Sequence, residues 1–297
     1  MEGETSDWAD VESSVPQGTV LGGPLFTVYI DDIDDLIESF LRKFADDTKM
    51  ANIVANKEDA LKFQGDINKL MEWANKWKML FNVDKCKVMH IGRHNQRFSY
   101  SMNGIELEET EEERDLGVWV DSTLKPSLQC QTAAMNANRA LGLILQTFHN
   151  RTKETLVPLF TSLVRPKLEF AVASWNPWLT KDIDCLEKVQ RRMIKSLSNV
   201  KGSTYEERLM DVGLTSLAER RQRGDMLETY KSLNGVSNVK KEDWFNFPDD
   251  HRANTRSNTV IGQDGEERRS IVIERERARL NVRANSFRIR AAKRWNE

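Results

Sequence analysis

Apolar residues recur along this chain with two periods, and the change between them divides it. In the first part short alternating runs are separated by turn residues. FLRKFA (40–45) and DTKMANIV (47–54) read as two strands joined at Ala45–Asp46–Asp47. CKVMHIG (86–92) and RDLGVWVD (114–121) each read as one further strand. YSMNGIEL (100–107) places Asn103–Gly104 between apolar runs, a strong hairpin signal. Helical spacing interrupts this pattern twice. PLFTVYIDDIDDLIES (24–39) opens on Pro24, whose missing N–H costs nothing at a first helical position. Across 57–80, Leu61, Ile67, Leu70, Met71, Ala74, Trp77 and Leu80 recur at three and four. Near residue 125 the character changes. Segments 127–148, 152–164, 181–197 and 215–233 all carry helical periodicity, punctuated by Pro158 and Pro166. The last sixty residues are polar, Arg-rich and weakly periodic, and there is no internal repeat. The expectation is an α+β chain in which a mixed part precedes a helical one.

Composition sharpens this picture in few places. The 297 residues include 44 Lys and Arg against 46 Asp and Glu, a formal net charge of −2, so bulk charge announces no nucleic-acid partner. Charge is distributed unevenly, however. Residues 268–294 hold ten Arg or Lys and two Glu, and QRRMIK and ERRQRGD add basic points on expected helices. Such stripes can neutralise phosphates, and they can equally be solvated faces paired with local Glu. The apolar run at 20–30 contains two Gly and a Pro and is too short to span a membrane. The first twelve residues are acidic and lack the apolar core of a secretory signal. Cys86, Cys130 and Cys185 lie far apart, in neither zinc nor disulfide spacing. These features suggest a reduced, intracellular protein, cytoplasmic or nuclear.

The candidate chemistry lies in Asp46–Asp47. A hairpin tip that presents carboxylates can supply oxygen ligands to Mg²⁺, which favours carboxylates together with substrate phosphates. Paired metals can activate a 3′-hydroxyl and stabilise departing pyrophosphate. The alternative is a polar turn with a solvated Asp pair. Trp73 and Trp77, four apart on an apolar face, read as core rather than as stacking platforms. His90 and His94 flank Gly92–Arg93, which suggests a strand ending in a turn rather than a metal pair.

SSVPQGTVLGGPLFTVYIDDI followed by FADDTKM resembles the reverse transcriptase domain of a non-LTR (LINE-type, jockey- or CR1-like) retrotransposon. The likeness continues through LMEWANKWKMLFNVDKCKVMHIG, RDLGVWVD, LVRPKLEFAVASWNPW, LEKVQRRMIK and ERRQRGDMLETYKSL. It implies an RNA-directed DNA polymerase working with Mg²⁺, or Mn²⁺, on an RNA template and a DNA primer. It also implies a partial palm over 1–121, a helical thumb over 122–235 and a basic extension over 236–297. By the same resemblance Asp46 and Asp47 are catalytic metal ligands. Pro16, Gln17 and Gly18 border the templating base and incoming nucleotide. Lys85 is a catalytic residue near the triphosphate that protonates the departing pyrophosphate, where a solvated strand-end lysine is the other reading. Leu116, Gly117 and Val118 form the hairpin that grips the primer, against the reading of a plain buried strand with one bend. Arg288, Arg290 and Arg294 are nucleic-acid contacts of the tail. Lys43 stands where the family usually has an apolar residue. The mechanism needs another aspartate from an earlier palm strand, and neither Asp7 nor Asp10 fits that strand. The expectation is therefore a polymerase segment inactive by itself, or a non-catalytic retroelement relic that at most binds nucleic acid.

Overall fold

The computed structural model describes residues 18–248, the backbone of 259–261 and 267–269, and residues 271–296. Helix and strand are mixed. The chain divides into two compact units, residues 1–111 and 112–297.

The first unit opens with helix α1 (Gly22–Tyr29) and a 3₁₀ turn (Asp31–Asp34). Pro24 sits third in α1 rather than first, still within the turn whose N–H groups have no helical partner. The acidic run ends the helix early, because anions at a helix C-terminus oppose its dipole. Lys43 offsets this. Its Nζ donates to the carbonyls of Ile30 (3.1 Å) and Asp31 (2.7 Å) and pairs with Asp34 at 2.6 Å. Lys43 belongs to β1 (Phe40–Phe44), which pairs antiparallel with β2 (Asp47–Ala51).

Helix α2 (Lys57–Lys76) begins at Asn56, whose side chain accepts the Asp59 N–H, and ends at Trp77 before Lys78 turns left-handed. Its apolar face buries Ala60, Ile67, Leu70, Met71 and Ala74. The expected strand at 86–92 shrinks to β3 (Lys87–Val88), paired in parallel with β6 (Glu108–Glu109). Asn103 and Gly104, both at positive φ, join β4 (Ser101–Met102) to β5 (Ile105–Glu106) as the sequence suggested.

The second unit begins with β7 (Glu112–Asp115) and β8 (Val118–Asp121). RDLGVWVD is thus a hairpin rather than one strand, because Leu116 (φ 46°) and Gly117 (φ 87°) reverse the chain. Helices follow. They are α3 (Ser127–Thr147), α4 (Lys153–Leu159), α5 (Arg165–Glu169), α6 (Val172–Trp175), α7 (Thr180–Ser196), α8 (Tyr205–Asp211) and α9 (Leu217–Leu233). A π turn over Phe160–Val164 joins α4 to α5. The wide turn lies where Pro166 has no N–H to return to Ser162, the residue four before it. On α3 the buried stripe Cys130, Ala133, Ala134, Ala137, Leu141, Ile144 is small at its start. That lets α7 approach with Leu186, Val189, Met193 and Ile194, forming one core with Leu156, Phe160, Val164 and Leu168.

The C-terminal region contains α10 (Lys241–Trp244), a β9 (Thr259–Ile261)–β10 (Glu267–Arg269) pair, α11 (Asn281–Ala284) and α12 (Phe287–Trp295). The weak periodicity read from sequence conceals a real packing element. Phe287, Ala291 and Ala292 of α12 are buried with Leu233, Phe245 and Ile273. All five sheets contain two strands, so the described residues form separate ribbons rather than one broad sheet.

Candidate functional site

The β1–β2 register closes on Phe44 opposite Asp47, leaving Ala45 and Asp46 as the two turn residues. Ala45 takes the left-handed conformation (φ 50°), the sign a hairpin demands at its first turn position. Leu41 faces inward, opposite Met50, while Phe44 is 64% exposed on the other face. Strand alternation therefore puts Asp47 on the open face beside Phe44. Both carboxylates are exposed, and neither has a hydrogen bond or ion pair among the described residues. The pair is thus held at a tip by the strand ladder alone, with its oxygens available to a ligand.

Among the other candidates, Gly18 is exposed and left-handed (φ 86°), a conformation that a side chain would strain. Pro16, Gln17, Asp7 and Asp10 lie outside the described residues. Lys85 ends an exposed 3₁₀ turn, Val83–Lys85. Leu116 is 49% exposed at the β7–β8 turn while Val118 enters the core, so only the turn can reach a partner. At Gly117 an added Cβ would stand 3.2 Å from the Phe170 ring.

The tail arginines separate. The Arg290 side chain is 12% exposed, and its guanidinium donates to both oxygens of Asp225 (2.9 Å each) and to the carbonyls of Ala173 and Asn285. These bonds clasp α12 to α9 and leave Arg290 little to offer a phosphate. Arg288 pairs with Glu276, and Arg294 has a buried Nη1 without a partner. The basic points separate likewise. In ERRQRGD, Arg220 forms a bidentate pair with Glu169 and Arg221 is buried, donating to Asn176. In QRRMIK, Arg192 donates to Asn138 while Arg191 and Lys195 stay exposed without an ion pair. Burial raises the pKa of all three cysteines and keeps them as neutral thiols, poor nucleophiles.

Trp73 packs on the Ile33–Leu41–Leu70 cluster, with its Nε1 donating to Asp32 at 2.8 Å. Trp77 is 37% exposed and edge-on to Tyr29. Sequence reasoning missed the Lys43 cap and the Asp225–Arg290 clasp. Their partners lie nine and 65 residues apart, and no local pattern links them.

Residues 1–131 match the family model described as reverse transcriptase (RNA-dependent DNA polymerase). The chain is 23% identical over 217 residues to the RNA-directed DNA polymerase from mobile element jockey of Drosophila funebris. It is 22% identical over 228 residues to the protein of the same name from Drosophila melanogaster. The chain is thus similar to the non-LTR, jockey-like reverse transcriptases. As a jockey-like segment it aligns over 68% and 71% of its own length but only 23% and 24% of theirs, so it spans about a quarter of these relatives. No solved structure matches it.

Reverse transcriptases generally use a divalent metal. Asp46 and Asp47 have the hard oxygen donors such an ion favours. Among the described residues, however, no group of three His, Cys, Asp or Glu side chains is placed to hold one. Two adjacent carboxylates on one turn do not complete a magnesium site. Among the same residues no helix is long and apolar enough to cross a membrane.

Proposed function

We propose that this chain is a palm and thumb segment of a retrotransposon polymerase, whose complete protein copies an RNA template onto a DNA primer with Mg²⁺. Residues 1–121 are its partial palm, 122–235 its thumb and 236–297 a basic extension. The observation that carries the reading is the Asp46–Asp47 tip, two unpartnered carboxylates on a hairpin within the segment matched by the family model. In the complete protein Asp46 and Asp47 are metal ligands. The ion would neutralise charge on the triphosphate as pyrophosphate leaves. Gln17 and Gly18 border the nucleotide, Lys85 faces the triphosphate, and the Leu116–Gly117 turn bears on the primer strand. Tail arginines, the half-buried Arg288 among them, add phosphate contacts, while Arg290 holds the tail to the thumb.

Residues 1–297 alone are expected to leave a primer unextended on an RNA template with Mg²⁺ or Mn²⁺. The reason is that two carboxylates supply too few anionic ligands, and positioning of the nucleotide is lost with them. Fusion to a related polymerase half that carries the remaining aspartate should restore extension, and Asp46→Asn in that fusion should abolish it. Extension by the unfused chain that disappears on Asp46→Asn would overturn the inactivity. A fusion that stays silent with intact folding favours the second reading, a non-catalytic relic that binds nucleic acid.

A further inference from the structure

Helices α7 and α8 and the 197–204 loop between them enclose an open pocket of ≈ 200 Å³, lined by Arg191, Ile194, Lys195, Ser203, Tyr205 and Arg208. Three of its six lining residues are cations, and none of the three makes an ion pair. Arg191 and Lys195 lie four apart on one helix face, where like charges repel by a few tenths of a kcal/mol. Some arginines of this unit are matched internally, as in Arg220–Glu169 and Arg290–Asp225. At this pocket three unmatched cations instead converge on one cavity.

The walls of the pocket are built. Tyr205 is fixed from below, its hydroxyl donating to Glu187 at 2.5 Å and accepting from Gln190 at 3.1 Å. Its ring carries the Arg191 guanidinium at 4.9 Å. Arg208 uses Nε on the Gly202 carbonyl (3.0 Å), and its terminal nitrogens make no hydrogen bond among the described residues. Gly202 is left-handed (φ 119°), and a Cβ there would stand 2.8 Å from Glu207 Cβ, so the loop lies directly on α8. The carboxylates of this corner are occupied. Glu207 accepts from the Ser203 and Thr204 amides, and Asp211 from the Lys201 amide.

We propose that this pocket binds a phosphodiester group of a nucleic-acid backbone. Three unmatched cations around a cavity of ≈ 200 Å³ suit one phosphate and its hydration. The contact proposed is to the backbone phosphate, which positions a strand without specifying sequence. The proposal rests on the polymerase reading and adds to it a fixed backbone anchor in the helical unit.

The test is fluorescence anisotropy of a labelled RNA–DNA hybrid with the full 297-residue chain across a salt series. Lys195→Glu and Arg191→Gln should each weaken binding about five- to tenfold and flatten the slope of log affinity against log salt by about one. Lys181→Glu changes the same charge as Lys195→Glu at the other end of α7 and should leave the slope near wild type. Both lysines are exposed, so folding is expected to survive, and equal melting temperatures confirm it. If Lys195→Glu and Arg191→Gln keep the wild-type slope, or if Lys181→Glu acts equally, the anchor is refuted. Protection of the pocket by inorganic phosphate, with duplex binding unmoved by either substitution, also refutes it in favour of a small-anion site. Primer extension by the fusion and duplex binding by the 297-residue chain are read separately, so silence of the fused polymerase counts against the polymerase reading alone, and an unchanged slope against the anchor alone.

Discussion

The two units bury their apolar residues differently. From 112 onward long helices share one continuous core, with small residues on α3 admitting α7 and a satellite cluster under α12. Before 112 two smaller clusters gather around the single long helix α2. Helix α1 buries no side chain, and Val20 (91%), Val28 (74%) and Phe44 (64%) lie open. Among the described residues the shorter unit exposes as many large apolar side chains as the longer one. Apolar area left in water forfeits about 25 cal/mol per Å² of stabilisation. Exposed apolar side chains of this kind suit cover by a partner surface.

The largest effect expected follows directly. Residues 112–297 expressed alone should melt in one cooperative step, whereas residues 1–111 alone should aggregate or show no cooperative melting. A soluble first unit with a sharp transition would break the contrast. Next in size is the clasp. Arg290→Ala leaves Asp225 buried with only Asn176 Nδ2 as a side-chain donor (3.1 Å). Loss of one partner from such a buried pair costs about 3–5 kcal/mol, read as a lower melting temperature of the second unit with the first unchanged. Arg288→Ala, on a more exposed pair, should shift stability by less than about 1 kcal/mol. Equal losses at the two positions would mean that the tail is not docked through Arg290.

What was legible in the sequence follows the same division. Long helices of the second unit were readable because their burial is periodic, and α3, α7 and α9 lie within two residues of the expected bounds. Helix α8 was not anticipated, although Thr204 and Glu207 form a capping box. In the first unit turns were clearer than strands, since Asn103–Gly104 and Ala45–Asp46 act locally. The strand at 86–92 failed because two ladder pairs were all its neighbours could offer. At the candidate site the hairpin tip was legible, but the role of Arg290 was not. An arginine stripe in sequence does not say which members face an aspartate 65 residues away.

A smaller effect belongs to Asp66, which ties the start of β1 to α2. Its buried carboxylate accepts from Ser39 N (2.9 Å) and Oγ (2.6 Å) and from Lys69 Nζ (2.9 Å). Burial alone would raise its pKa, but the Ser39 and Lys69 hydrogen bonds outweigh that and hold it below the usual carboxylate range. A depressed folded-state pKa stabilises fully above the unfolded value of about 4, and the gain is lost as pH falls through the lower folded value. Asp34, lowered by its hydrogen bond to Lys43, acts with the same sign. The first unit should therefore lose stability on acidification below about pH 4 more steeply than an Asp66→Asn variant. That variant should be weaker at pH 7 by about 1–3 kcal/mol. A parallel pH profile for the two proteins would remove Asp66 from the account.

The smallest effect separates local turns from burial. Gly104 and Gly117 hold comparable positive φ, 76° and 87°, in hairpin turns of the first and second unit. A Cβ at Gly104 meets nothing within 4 Å, so Gly104→Ala carries only the left-handed penalty of about 1 kcal/mol. At Gly117 the Phe170 ring stands 3.2 Å away but is 56% exposed, so it can swing aside, and Gly117→Ala should exceed Gly104→Ala only slightly. Hydrogen exchange read on peptides over 98–107 and 110–121 gives both opening energies in the full chain. Similar losses on unequal baselines, with the first unit opening more readily, would place the difference between the units in burial rather than in turn chemistry. A Gly104→Ala loss several times the Gly117→Ala loss would instead show that the first unit depends on its turns, and the contrast would have to be rebuilt on local backbone strain.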